Sequence, residues 1–490
     1  MHKITADNRG QKAASLMDEM NLPRIIQGGM GVGVSGWRLA NAVARRGQLG
    51  VISGTGIDQV LARRLQLGDP EGAVRRAIAA FPCRETAAAA ISRYFVEGGK
   101  DAAAPFRTPP MFRLQASRDH LRFAVLSAFV EVWLAKEGHA GVVGINLLEK
   151  IALPNPALLY GAMLAGVDFV LMGAGIPWQI PGLLDMLSRN EPIVMKVPVE
   201  GDPTPADLEF DPRALFDPLL LPHSRPRFLA IVSSATLAQA LLKRATGRID
   251  GFVVEGPTAG GHNAPPRGSA PLNARGEPVY GERDIVDPAR MTTFGLPFWL
   301  AGGEGVPGAL KHALSVGAQG IQVGTAFAFC EESGLDPKLR AAALERAADG
   351  TIDVFTDPKA SPTGFPFKVV RLPGTLSVSD EYLARERVCD AGYLRRLYRN
   401  PDGTIGYRCP GEPVDDYLAK GGDEADTEGC KCLCNALIAN IGLGQVRHGT
   451  PEGTLLTAGD GLAELPAIFG EKLLTYTASD VIDALMRDTT

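Results

Sequence analysis

The sequence predicts an α/β protein built on a TIM-type (β/α)8 barrel with helical insertions and a C-terminal extension. Two observations carry this. Short β-branched runs alternate with longer helical patterns along the first two thirds of the chain, which is the pattern of parallel βα units. Several of those runs stop at glycine clusters, as strands do at the loop-bearing, C-terminal face of such a barrel.

In chain order, Arg24 to Gln27 is the first strand, followed by Gly28-Gly29-Met30-Gly31 and a helix from Trp37 to Arg46. Gly50 to Ser53 is the second, with Asp58 as a cap for the next helix. From about 57 to 140 the rhythm changes to helical patterns at Pro70 to Phe81, Arg84 to Phe95 and Arg118 to Lys136, with one short strand expected at Met111 to Leu114. This stretch reads as an insertion. Strands three and four are Val142 to Asn146 and Asp168 to Met172, with a helix opened by Pro154 and Pro156 between them.

Pro192 to Val197 and Arg227 to Ser233 then both read as strands, flanking a Pro- and Asp-rich segment at about 201–226. Counting both gives nine strands where the ring takes eight. We favour 227–233 for the ring, because it runs into a clean helix, Ala235 to Ala245, and then into Phe252-Val253-Val254. Phe298 to Ala301 and Gly320 to Val323 complete the barrel, which spans 22–333. The extension, 334–490, shows a helix at Pro337 to Ala348, a strand at Phe367 to Arg371 and a helix from Ala436 to Ile441, and is expected to pack on the barrel or on a second subunit, giving a homo-oligomer.

Composition narrows the partners. With 50 Lys and Arg against 55 Asp and Glu, a net charge of −5 and no basic run, no nucleic-acid footprint is indicated. No apolar stretch reaches the ~18 residues of a membrane span, and the first 20 residues lack the apolar core of a signal peptide, so a cytoplasmic protein with a small-molecule partner is expected. Seven cysteines form an odd set that suits reduced thiols. Cys430-x-Cys432-x-Cys434 has neither zinc-knuckle nor iron–sulfur spacing, and no metal is expected there.

Gly302-Gly303 and Gly324-Thr325 follow consecutive strands, where glycine lets backbone N–H groups approach a phosphate closely. At Gln27 to Gly31, small residues and one methionine would let a flat ring lie against the backbone. The spacing of these glycines does not fit a dinucleotide fingerprint. Glu255-Gly256-Pro257-Thr258-Ala259-Gly260-Gly261-His262 delivers one histidine from a strand end. A long loop, Asn263 to Met291, follows it and reads as a lid. His2 is expected to be disordered, and the remaining histidines structural or solvent-facing.

Together, Gln27 to Met30, Glu255 to His262, Ala301-Gly302-Gly303 and Gln322 to Phe327 resemble the nitronate monooxygenase family, once called 2-nitropropane dioxygenases, whose barrel is shared with flavin-dependent enoyl-acyl-carrier-protein reductases. The resemblance implies FMN as cofactor, its phosphate around Gly303, Gly324 and Thr325 and its ring near Gly29, Met30 and Asn146. The cofactor-binding set it suggests is Gln27, Gly28, Gly29, Met30, Asn146, Lys196, Gly260, Gly261, Gly302, Gly303, Gln322, Gly324 and Thr325, with Lys196 included only if its strand reaches the rim of the ring. It also implies that His262 faces the flavin as the catalytic residue, acting on an alkyl nitronate or related carbon acid with O2. The insertions leave open a flavin-dependent enoyl-thioester reductase or an NAD(P)H-dependent flavin reductase, with NAD(P)H or an acyl carrier protein as partner, and a phosphate-ligand barrel without chemistry.

Overall fold

A computed structural model describes residues 22–268 and 271–487; His2 lies outside them. Eight parallel strands close the ring: β1 (Ile25–Gln27), β2 (Leu49–Ser53), β3 (Val143–Leu148), β4 (Phe169–Gly173), then, past a hairpin of β5 (Ile193–Glu200) and β6 (Asp202–Phe210), β7 (Arg227–Val232) and β8 (Gly251–Glu255). A two-residue strand, β9 (Gly261–His262), precedes the last ring members, β10 (Phe298–Ala301) and β11 (Gly320–Val323), and β11 pairs with β1. The nine-strand count thus resolves as expected: β4 pairs directly with β7, and β5 stands outside the ring.

The strands form because they are continuous apolar runs buried on both sides, as a parallel sheet under helices requires. Ile26, Val51, Leu171, Leu229, Val253 and Trp299 fill the barrel interior. Outer helices start at side-chain caps, Ser117 for Arg118–Lys136 and Ser234 for Ala235–Arg244. Within the insertion, Ala73–Ala80 and Arg84–Tyr94 are helical as expected, and Arg118–Lys136 occupies the place of the barrel helix, packed on Trp37–Arg45 and Asn155–Leu164.

One expected strand does not form. Met111 to Leu114 is not a strand; Leu114 N–H donates to the Tyr407 hydroxyl and Phe112 O accepts from Arg395, so side chains of the extension hold this segment where a strand partner would. The Pro- and Asp-rich segment at 201–226 contains β6, an antiparallel partner of β5 whose prolines at 203 and 205 sit on an edge strand, where no ladder donor is needed.

The extension packs on the barrel of its own chain. β12 (Val354–Asp357) and β13 (Phe367–Val370) form a hairpin whose second strand pairs with β9. β14 (Arg396–Arg399) and β15 (Ile405–Arg408) extend the β5–β6 hairpin into a four-stranded sheet, where Glu200 meets Arg396 and Arg408 at 2.8 Å each. Tyr393 donates to the buried carboxylate of Asp58, whose pKa burial raises to about 6. The three cysteines 430, 432 and 434 flank or open the helix Leu433–Ala439, and all seven thiols are free. No helix among the described residues is long and apolar enough to cross a membrane.

Trp299 is fully buried and its indole N–H donates to Pro23 O at 2.9 Å. We expect Trp299→Ala to cost about 3–5 kcal/mol through the cavity it leaves. A urea midpoint close to the wild-type value would show that the interior is not packed this way.

Candidate functional site

A cavity of about 450 Å³ opens over the C-terminal ends of the ring strands, within the ~300–1,000 Å³ typical of small-molecule sites. Every glycine cluster singled out above lines it. Gly28, Gly29 and Met30 come from the turn after β1, Asn146 from β3, Gly260, Gly261 and His262 from the segment after β8, Gly302 and Gly303 from the turn after β10, and Gln322, Gly324 and Thr325 from β11 and its turn.

Two predicted residues lie elsewhere. Gln27 is fully buried behind the first turn: its amide donates to Ser35 Oγ at 2.9 Å and its Oε1 accepts from Val51 N–H at 2.9 Å. It shapes the loop rather than the cavity wall. Lys196 is exposed on β5, outside the ring, and its ammonium pairs with Asp207 at 2.5 Å. The condition for its reaching the rim is therefore not met, because the hairpin carries it onto the outer sheet.

The turns are close-fitting. A Cβ on Gly29 would overlap that of Asn146, whose Nδ2 donates to Gly29 O at 3.0 Å. Gly302 and Gly303 hold φ of +90° and +81°, left-handed values that a side chain disfavours. Since Ala301 pairs with Gln322 across β10 and β11, the two glycine turns stand side by side. Asn146 Oδ1 and Gln322 Oε1 are buried acceptors without a partner among the described residues, so a ligand donor in this cavity would find two oxygens waiting.

His262 is half-buried and held by the extension. Its backbone pairs with Phe367, its ring meets the Phe367 ring edge-on with centroids 4.9 Å apart, and its Nε2 lies 2.6 Å from Ser361 Oγ. Burial pushes its pKa down to about 3, and the ammonium of Lys150 pushes in the same direction. The imidazole is therefore neutral at working pH. Lys150 Nζ, covered and without a hydrogen-bond partner among the described residues, sits 2.8 Å from the centroid of the Phe365 ring, and burial lowers its pKa to about 7.

A strap from the extension crosses the face. Gly261 N–H donates to Thr457 Oγ1 at 3.0 Å, Gly459 N–H to Thr325 Oγ1 at 2.9 Å and Asp460 N–H to Thr258 O at 3.1 Å. The long loop after His262 lines the mouth through Arg267, Tyr280 and Asp284, as a lid would. The sequence reading missed Ser361, Phe365, Phe367 and Thr457, which carry no motif, and also Glu255. Glu255 was in view as the first residue of the histidine segment, and its carboxyl lines the cavity.

Fold and site define a closed (β/α)8 barrel with a glycine-walled ligand cavity at its strand ends. Residues 223–361 match the family model for nitronate monooxygenase, so the resemblance read from the motifs is shown over the segment holding Glu255 to His262, Gly302-Gly303 and Gln322 to Thr325. The chain is 36% identical over 115 residues to a probable nitronate monooxygenase of Bacillus subtilis, covering 24% of this chain and 31% of that one. Against a nitronate monooxygenase of Paraburkholderia phytofirmans it is 30% identical over 137 residues, 25% of this chain and 32% of that one. These matches span about a third of each relative's length. FabK from Thermotoga maritima superposes with a TM-score of 0.48 at 15% identity, covering 96% of this chain and 94% of that one.

His262 and His120, whose pKa burial lowers to about 4, are expected to stay uncharged between pH 5 and 8. Histidine-ring NMR, assigned with His262→Asn, tests this; a His262 resonance titrating near the ordinary ~6.5 would show an open, solvated ring.

Proposed function

We propose that this protein is an FMN-dependent oxidoreductase of the nitronate monooxygenase type, oxidising an alkyl nitronate or related carbon acid with O2. The observation that carries the reading is the meeting of His262 with two adjacent glycine turns in one cavity, within the segment that matches the nitronate monooxygenase model.

The residues present fit FMN. The turns at Gly302-Gly303 and Gly324-Thr325 would hold its phosphate through backbone N–H groups, and Thr325 Oγ1, which accepts from the strap, keeps its own hydrogen to donate. Gly28, Gly29 and Met30 would take the ring, and the unpartnered Asn146 Oδ1 and Gln322 Oε1 match its N–H and hydroxyl donors. When bound, FMN supplies the acceptor and donor of electrons between substrate and oxygen. The chain's own residues do the positioning. The strap crosses the cavity and the loop after His262 borders its mouth. His262 is uncharged and oriented by Ser361, so toward a carbon acid it accepts a proton, whereas toward a nitronate, already an anion, it orients the substrate. A bound anion also offsets the field of Lys150 and lifts the basicity of the ring.

One observation favours a second reading. Val279 and Ile285 are exposed on the loop next to Tyr280 and Asp284, which line the cavity, apolar surface that suits an acyl chain and hence a flavin-dependent enoyl-thioester reductase using NAD(P)H.

The purified protein should be yellow or take up added FMN. Anaerobically, propyl-1-nitronate should bleach it rapidly and NADPH should not; the opposite pattern selects the reductase. His262→Ala should retain FMN and lose about 10²–10⁴-fold in turnover, the range for a positioned proton-transfer group, and near-normal kcat in that variant would remove His262 from the mechanism.

A further inference from the structure

Glu255 ends β8 with its side chain in the cavity wall, one residue before the turn that leads to His262. No hydrogen-bond donor reaches its carboxyl among the described residues, and burial alone acts on it. Its surroundings explain what it faces. Among the described residues lining the cavity, Arg267 is the sole cation, and its guanidinium donates to Ser233 O at 2.9 Å. Three carboxyls share the lining: Glu255, Asp284 and Glu304. An anionic occupant beside a carboxylate that nothing neutralises would be repelled. The same carboxyl with its proton is a donor instead.

We propose that Glu255, unpartnered in the cavity wall, serves in its protonated form, on the acid side of neutrality, as a hydrogen-bond donor to an anionic oxygen of whatever the cavity holds. The inference rests on the reading of the cavity as a site for an anionic cofactor and substrate. That oxygen belongs to FMN or to the planar anion of the substrate; the chemistry is the same. Burial raises the Glu255 pKa to about 7, so the donor is present below that pH and is replaced by a repelling charge above it. Glu304, raised by burial despite His312, adds a second carboxyl that leans the same way.

The state of the carboxyl is read first, by infrared pH-difference spectroscopy on wild type and Glu255→Gln. A protonated-acid carbonyl band present at pH 6, lost by pH 8.5 and missing from the variant is expected; Asp58, whose band would remain in both, serves as an internal control. The absence of any Glu255-dependent band at pH 6 would overturn the proposal. Ligand binding is read second, as FMN titrated into apoprotein and n-butyrate, a carboxylate of propyl-nitronate shape, titrated into the FMN form. Wild-type affinity for one of the two should weaken toward tenfold per pH unit above about 7, and Glu255→Gln should flatten that slope. A slope in the FMN arm places the donor on the cofactor, and one in the butyrate arm places it on the substrate. Identical pH profiles for wild type and variant in both arms would also overturn the proposal. Failure of the functional reading shows separately, as a colourless protein without nitronate turnover, and leaves the infrared result standing.

Discussion

Two backbone pairs, His262 with Phe367 and Gly261 with Lys368, are the constraint on which the site depends. Within the barrel, the segment after β8 is a glycine-rich turn held by Gly256 N–H to Ala301 O and by Asn263 Nδ2 to Ala259 O, with Gly261 at a φ of +78°. The hairpin of the extension supplies the ladder that the turn lacks. Once β9 is paired, the imidazole is set against Phe367, within reach of Ser361 and shielded from water. The depressed basicity of His262 thus owes much to residues about a hundred positions downstream, which cover its ring.

The same dependence explains which parts of the molecule were legible in the sequence. The ring was legible because parallel strands buried on both faces are local apolar runs, and Phe252 to Val254 or Phe169 to Met172 announce themselves without a partner. The choice of β7 over β5 for the ring was legible too, from the helix that follows it. The glycine turns were legible because close backbone approach allows few other residues. β6 was not, since its signal is carried by cross-strand pairing with β5 and is masked by prolines tolerated only at an edge. The placing of Lys196 failed for the same reason: an alternating strand presents its lysine to solvent as readily as to a site, and only the hairpin decides. Phe365 and Thr457 reach the cavity, and Ser361 reaches His262, through long-range contacts that leave no periodic trace in the chain.

Electrostatics ties the extension to the ligand as well. The cavity wall offers backbone N–H groups, hydroxyls and carboxyls, but almost no free cation. Positive charge is set back from it: Lys150 sits on the face of Phe365, and Arg396 behind it is held by Glu200 and by Pro362 O. A cation kept at one remove biases titration without capturing an anion, because it acts through the field rather than through a salt bridge that would have to be broken in each cycle. Burial, aided by Lys150, pushes His262 toward its neutral form, and burial pushes Glu255 the opposite way on the pKa scale and to the same uncharged outcome. Groups driven apart in this manner are what an acid–base site needs. Here both reach their uncharged forms near pH 6, so on the proposed reading an anionic occupant would meet dipoles that the barrel and its strap already hold in place.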